Sequence, residues 1–249
     1  MPCGRRWRAA RTWPRPPEPG LEAVTAIRKL REEAIEPPAQ TLAVQAYLRL
    51  EELIVTARLK PGAVVSEALL ARQLGIGRMP IREAIKRLDA EGLLVVLPQR
   101  GVLVSSIDPG QFRLQLETRR PIDRLLADSA ARRATRAERT ELLALADEIV
   151  VAAGRGDVDA FLACDRAFDQ LVAGACRNAF TARACAQLHA HSRRFWHAYR
   201  DERDLAASAQ RHAELMRAIA AGDAEAAVTA SDRLIDYLDA FAEAAFGRG

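Results

Sequence analysis

From Thr41 onward, apolar residues recur at the three-and-four spacing that buries one face of an α-helix. Val44, Tyr47, Leu48, Leu50, Ile54 and Val55 predict a first helix, which the Pro-Gly turn of LKPGAVV ends. Ser66 stands as an N-cap before EALLARQLG, and Gly75 closes that short second helix. A third helix over about 78–91 carries Ile81, Ala84, Ile85 and Leu88 on one stripe and stops at Gly92. The runs LLVVL and GVLVSSI then predict two short strands separated by PQR. Three helices and a small hairpin within about 65 residues spell a winged helix-turn-helix.

Beyond Asp108 the pattern is helical throughout, over about 109–133, 137–153, 157–174, 178–199, 202–221 and 223–245, with turns such as GRGD and AGDAE between. That predicts an antiparallel all-α bundle. Ahead of Thr41, residues 1–20 are rich in Pro, Arg and Trp without periodicity, and EPPAQ interrupts 36–40. They read as part of a disordered extension, with at most a short helix over 21–35. The expected organisation is mainly α: the Arg/Pro-rich extension over 1–39, a winged helix-turn-helix with a small β-wing over 40–107, and the helical bundle over 108–249.

Charge sharpens this division. The net charge of +4 is unevenly spread: residues 1–20 hold five Arg against one Glu, residues 41–107 nine Lys and Arg against six acids, and residues 108–249 twenty against twenty-two. A basic front and a slightly acidic back suit two domains with different partners. No apolar run reaches the roughly 18 to 20 residues that span a bilayer, and the N-terminus lacks the apolar core of a secretory signal. The expected address is cytoplasmic, with no membrane partner. Cys3, Cys164, Cys176 and Cys185 show no paired C-x2-C spacing and read as small core fillers.

The stretch GIGRMPIREAIKRLDAEG raises a physical question, because Arg78 and Arg82 place cations at a helix N-terminus, where the macrodipole disfavours them. Lys86 follows on the next turn of the same face. A phosphate-lined major groove would accept all three, arginine being matched to guanine O6 and N7 and to phosphate; ordinary solvation of an exposed helix face is the alternative. The segment VVSEALLARQLGIGRMPIREAIKRLDAEGLLVVLPQRGVLV resembles the DNA-binding domain of the GntR family of bacterial transcription regulators. The resemblance covers about 41–107 and implies base or phosphate contacts from Arg78, Met79 and Arg82, with wing contacts from Gln99, Arg100 and Gly101. Relatives usually carry Ser or Thr where Gly77 stands, Thr where Met79 stands and an arginine where Ala68 stands. The operator is therefore expected to differ from theirs.

In the bundle, polar residues intrude on apolar stripes. Asp165 sits among Phe161, Cys164, Phe168, Leu171 and Val172, with Asp169 one turn on. Arg119 and Asp123 lie between Leu116 and Leu126, and His212 lies between Leu205 and Ile219. A lone buried carboxylate costs several kcal/mol, so Asp165 must be paired, coordinated or neutral. Three helices that each aim a polar group inward are how bundles build ligand or metal sites. In LHAHSRRFWHAYR, His189, Arg193, Trp196 and Arg200 share a face, either solvated and basic or, through Arg193 and Trp196, lining a ligand pocket.

The bundle resembles the FCD effector domain, many of whose members hold a divalent metal through an aspartate, a histidine four residues on and two later histidines. That resemblance implies Asp165 and His212 as metal ligands and Arg119 as an effector contact, but places Asp169 and Leu234 at the remaining ligand positions. Three readings stay open: Zn, Mn or Ni held by Asp165, Asp169 and His212; a metal-free pocket where Arg119 and His212 bind an organic acid; or polar groups that merely satisfy one another. The expected function is a homodimeric, double-stranded-DNA-binding regulator of an inverted-repeat operator, modulated by a small carboxylate at Arg119, Asp165, Arg193, Trp196 and His212. An effector-independent regulator and a metal-dependent hydrolase are the alternatives, the latter lacking a nucleophile motif. The chain is not expected to be an enzyme.

Overall fold

The computed structural model describes residues 41–201 and 203–246. The expected disordered extension and its short helix lie outside the described residues. Helix α1 (Leu42–Val55) buries Ala46, Tyr47, Leu50, Glu51, Ile54 and Val55, and strand β1 (Val64–Val65) follows. Helix α2 (Glu67–Leu74) is capped by Ser66, whose hydroxyl accepts from the Leu69 N–H at 3.1 Å, and ends on Gly75 in the left-handed region at φ 65°. Helix α3 (Arg78–Ala90) turns Ile81, Ala84, Ile85 and Leu88 inward, as its stripe predicts. Strands β2 (Leu94–Leu97) and β3 (Gly101–Val104) form the wing.

The sheet is antiparallel in the order β1-β3-β2, with Leu97 opposite Gly101 at the hairpin and Val64 opposite Leu103. Strand β1 adds to the expected hairpin; at two residues it is too short to show alternation in sequence. Gly101 cannot carry a side chain, since a Cβ there would lie 2.6 Å from the Val65 carbonyl oxygen at φ 106°. The Asp89 carboxylate accepts from the Val96 N–H at 3.0 Å, tying the wing to α3.

Helices α4 (Pro109–Arg133), α5 (Arg136–Gly154), α6 (Val158–Ala175), α7 (Ala179–Tyr199), α8 (Asp204–Ala221) and α9 (Ala224–Phe246) match the expected segments to within a residue or two. Local chemistry sets their starts. Asp108, Thr135, Asp157 and Asn178 each accept backbone N–H bonds as N-caps, and Thr135 with Glu138 closes a capping box. Helix α4 packs on α9 and α7, and α5 on α8 and α6.

The apolar interior divides into two clusters, one beneath α1–α3 and the wing, the other inside the bundle. Each borrows a residue from the other side: Ala190 of α7 is buried in the first, Val55 of α1 in the second. Helix α7 also grips the winged domain by polar contacts. Gln187 and His191 donate to the Glu91 carbonyl at 3.0 and 2.8 Å, and Arg194 donates to the Ser105 carbonyl. From α6, Arg166 donates to the Leu48 carbonyl at 3.2 Å. Leu42 onward accordingly behaves as one compact unit.

Candidate DNA-reading face and buried ligand cavity

Helix α3 presents Arg78, Met79, Arg82 and Lys86 to solvent, and the wing turn presents Gln99 and Arg100, with Gly101 half-buried behind them. Met79 is 64% exposed, which leaves its thioether accessible on this face. Gln99 adopts φ 60°, which helps fold the three-residue turn between Leu97 and Gly101. The N-cap of α3 is Gly77, which offers no side-chain acceptor, so the first N–H groups of this helix remain available to an anion. Arg82, though exposed, is also paired: it donates through Nε and Nη2 to Glu67 of α2, at 3.1 and 3.0 Å.

The bundle encloses a cavity of about 50 Å³, lined among others by Arg119, Asp165, Asp169, Arg193, Trp196 and His212. All five expected effector contacts face this one space. Arg119 donates to Asp123 Oδ2 through Nε and Nη2 at 2.9 and 2.7 Å, and to the Ser192 hydroxyl at 2.7 Å. Asp123 Oδ1 faces His189 Nε2 at 2.9 Å, and His189 Nδ1 faces Asp169 Oδ1 at 2.8 Å. Asp169 Oδ2 accepts from Arg193, which passes on to Glu51 Oε1 of α1 at 2.8 Å. A buried ionic chain thus runs from α4 through α7 and α6 to the first helix of the winged domain.

His212 forms the second buried pair, with Nε2 at 3.2 Å from Asp165 Oδ1 and Nδ1 donating to the Ser208 carbonyl at 2.8 Å. Both rings sit between acceptors only, so each needs both its protons to bond on both sides. Burial pulls the pKa of His189 and His212 down, but the facing carboxylates more than offset it, and both are held above the ordinary imidazole value. Burial likewise pushes Asp123 and Asp165 up, while Arg119 and His189 around the first, and His212 beside the second, bring them well below the usual carboxylate range. The four cations Arg119, His189, Arg193 and His212 balance the four carboxylates Glu51, Asp123, Asp165 and Asp169. Two buried donors find no acceptor among the described residues, the Nε–H of Arg193 at this cavity and the Nε–H of Arg194 beside it in sequence.

The metal set implied by resemblance was Asp165, Asp169 and His212. Asp165 and His212 do meet, but Asp169 spends its oxygens on His189 and Arg193. Leu234, at the fourth position, lines the cavity without a ligand atom. These three do not bring one donor atom each within 4.8 Å; among the described residues Asp123, Cys185 and His189 do. Sequence reasoning noticed Asp123 as an intrusion but gave it no role, treated Cys185 as filler, and passed over Glu51 entirely.

An exposed cationic helix beside a β-wing, fused to a bundle with a polar cavity, defines a winged-helix DNA-binding protein with a second, ligand-type domain. The sequence model described as "Bacterial regulatory proteins, gntR family" matches residues 42–104, and that of the FCD domain matches 115–237. An uncharacterized HTH-type transcriptional regulator of Agrobacterium vitis is 30% identical over 161 residues, covering 61% of this chain and 94% of the relative. One from an unstable DNA locus of Streptomyces ambofaciens is 43% identical over 65 residues, 26% of this chain and 28% of its own length. The chain therefore spans under a third of one such relative and nearly all of the other. The solved structure of E. coli McbR/YncC superposes with a TM-score of 0.72 at 21% identity, over 83% of this chain and 99% of that one. The chain belongs to the GntR family of transcriptional regulators and carries an FCD domain; both groups are regulators and not enzymes. Among the described residues no helix is long and apolar enough to cross a membrane.

Proposed function

We propose that the protein is a cytoplasmic, homodimeric regulator that reads an inverted-repeat operator and changes its affinity when a small organic acid enters the bundle cavity. Residues 40–107 form the reading head and 108–249 the sensing and dimerising part. Arg78, Met79, Arg82 and Lys86 enter the major groove, while Gln99, Arg100 and Gly101 bring the wing to the backbone. Two heads are required because one module makes few base contacts and paired half-sites multiply specificity.

The observation that carries the sensing role is Arg193. It is buried at the cavity wall, holds Asp169 on one side and Glu51 of the reading head on the other, and keeps an unpartnered Nε–H. An oxyanion supplies the missing acceptor. Arg119, Asp165, Trp196 and His212 line the same space. At about 50 Å³ the cavity has room for a few waters, each needing roughly 10–15 Å³ by the same measure. A metabolite must therefore open the ionic chain, and a carboxylate does so by replacing Asp123 at Arg119 or Asp165 at His212, like for like. The last link of that chain is on α1, so opening it reaches the reading head. This reading uses no metal at Asp165, Asp169 and His212.

The test is a thermal-shift screen of small carboxylates on chelator-treated protein, followed by gel shift on a duplex selected by the protein from a random pool. The reading expects a carboxylate that raises Tm and alters duplex affinity. Carboxylates that leave both untouched across the panel would favour an effector-independent regulator.

A further inference from the structure

The cluster of Asp123, Cys185 and His189 shares Asp123 and His189 with the wall of that cavity, but the recognition just described gives Cys185 no part and uses no metal there. Asp123 projects from α4, and Cys185 and His189 stand one turn apart on α7. Asp123 Oδ1 lies 2.9 Å from His189 Nε2 and 3.7 Å from Cys185 Sγ, and all three are buried. A tetrahedral zinc with Zn–S of about 2.3 Å and Zn–N and Zn–O of about 2.0–2.2 Å sets neighbouring ligand atoms roughly 3.3–3.6 Å apart. The two measured separations bracket that value.

The surroundings are also those of a ligated metal. A ligating imidazole almost always donates its other N–H to a carboxylate that fixes its tautomer; His189 Nδ1 faces Asp169 Oδ1 at 2.8 Å. A ligating carboxylate is in turn hydrogen-bonded; Asp123 receives Arg119 on Oδ2, leaving Oδ1 for a metal. Charge closes as well: the Cys185 thiolate and Asp123 neutralise a divalent cation, while Arg119, Arg193 and His212 balance Glu51, Asp165 and Asp169.

We propose that Asp123 Oδ1, Cys185 Sγ and His189 Nε2 form a zinc site, with water in the fourth position and Asp169 as the positioning residue for His189. On binding, the Cys185 thiol proton and the His189 Nε2 proton leave to solvent and metal bonds replace them. Thiolate with imidazole favours Zn2+ over Mn2+ or Mg2+, which prefer oxygen donors. Asp165 and His212 are not among its ligands, and its cobalt spectrum is read on protein without added organic acid, so its outcome does not depend on the carboxylate reading.

The test uses the full chain, stripped with chelator and titrated with Co2+ as a coloured stand-in for Zn2+. Expected is one equivalent of Co2+ with a near-ultraviolet thiolate-to-metal charge-transfer band and tetrahedral visible bands, both displaced by Zn2+. The triple variant Cys3→Ser, Cys164→Ser, Cys176→Ser keeps the band, and Cys185→Ser loses it. Asp169→Asn keeps the band but weakens Zn2+ about 10–100-fold, the range for losing an outer-shell partner of a ligating histidine. Asp165→Asn keeps the band. Cobalt bound without a charge-transfer band in the unsubstituted protein overturns the proposal, and so does a band that survives Cys185→Ser or vanishes with Asp165→Asn. The first of these needs no variant, so a Cys185 substitution that fails to fold does not rescue the idea. The carboxylate screen in chelator is scored separately, and its failure leaves the cobalt spectrum unaffected.

Discussion

On α3 and the wing, Arg78, Met79, Lys86, Gln99 and Arg100 stand in solvent, whereas in the bundle Arg119, His189, Arg193 and His212 are each buried against a carboxylate. The same residue types therefore do different physical work. Exposed cations cost the fold little and keep their charge for a partner; buried ones are already neutralised, and their pairs join α1, α4, α6, α7 and α8. Removing an exposed cation should weaken binding and spare stability. Removing a buried one should do the reverse first, because its partner is left charged and unpaired.

The largest effect expected is at the centre of the buried set. Arg119→Ala strands Asp123, and breaking a buried pair by one partner costs about 3–5 kcal/mol; denaturant unfolding checks it, and a loss under about 1 kcal/mol would mean the chain is well solvated. Next comes Arg78→Ala, expected to lose about 1–3 kcal/mol of operator affinity, the range for one good base contact. Its unfolding midpoint should stay unchanged, and a fall in stability with affinity retained would reverse the roles assigned to the two regions.

A smaller effect is the response of chelator-treated protein to pH. The folded pKa of His212 is raised above its ordinary 6.5, so its contribution is complete below that value and is lost as pH rises through the raised one. Asp165 is shifted the other way, below 3.8, so its contribution is complete above that value and is lost only as pH falls through the lowered one. Melting temperature should therefore decline from pH 6.5 toward alkaline pH, and Asp165→Asn should flatten that decline; an equal slope in both proteins would remove the pair from the account. The smallest effect belongs to the reading face. Glu67 holds Arg82 in a half-exposed pair, and such pairs contribute about 0–1 kcal/mol. Glu67→Ala should free Arg82 and tighten duplex binding slightly, with a steeper salt dependence; weaker binding would mean that Glu67 positions Arg82 for the groove.

The two regions were also unequally legible in sequence. The reading head is built from contacts within about 60 residues: a cap at Ser66, a left-handed Gly75, and a stripe of Ile81, Ala84, Ile85 and Leu88, all periodic signals. Only β1 escaped, being two residues long. In the bundle, Arg119, Asp123, Asp165 and His212 announced themselves as polar breaks in apolar stripes. What sequence could not supply was which of them pair. Glu51 reads as an ordinary surface acid in RLEELIV, and its burial depends on Arg193, 142 positions away. Asp169 stands where the resemblance to the FCD domain implies a histidine, and only the fold shows that this shorter carboxylate is engaged by His189 and Arg193. Cys185 gains meaning only from the crossing of α4 and α7.

The central claim is that Arg193 and Glu51 carry the state of the cavity to the reading head. The most direct measurement is the affinity for a selected duplex, with and without a cavity-binding carboxylate, in the unsubstituted protein and in Glu51→Gln. The account predicts a ligand-induced change of about 5–150-fold in the first, corresponding to roughly 1–3 kcal/mol of coupling. In the second the carboxylate should still bind, yet shift duplex affinity by less than about threefold. An undiminished shift in Glu51→Gln would contradict the claim.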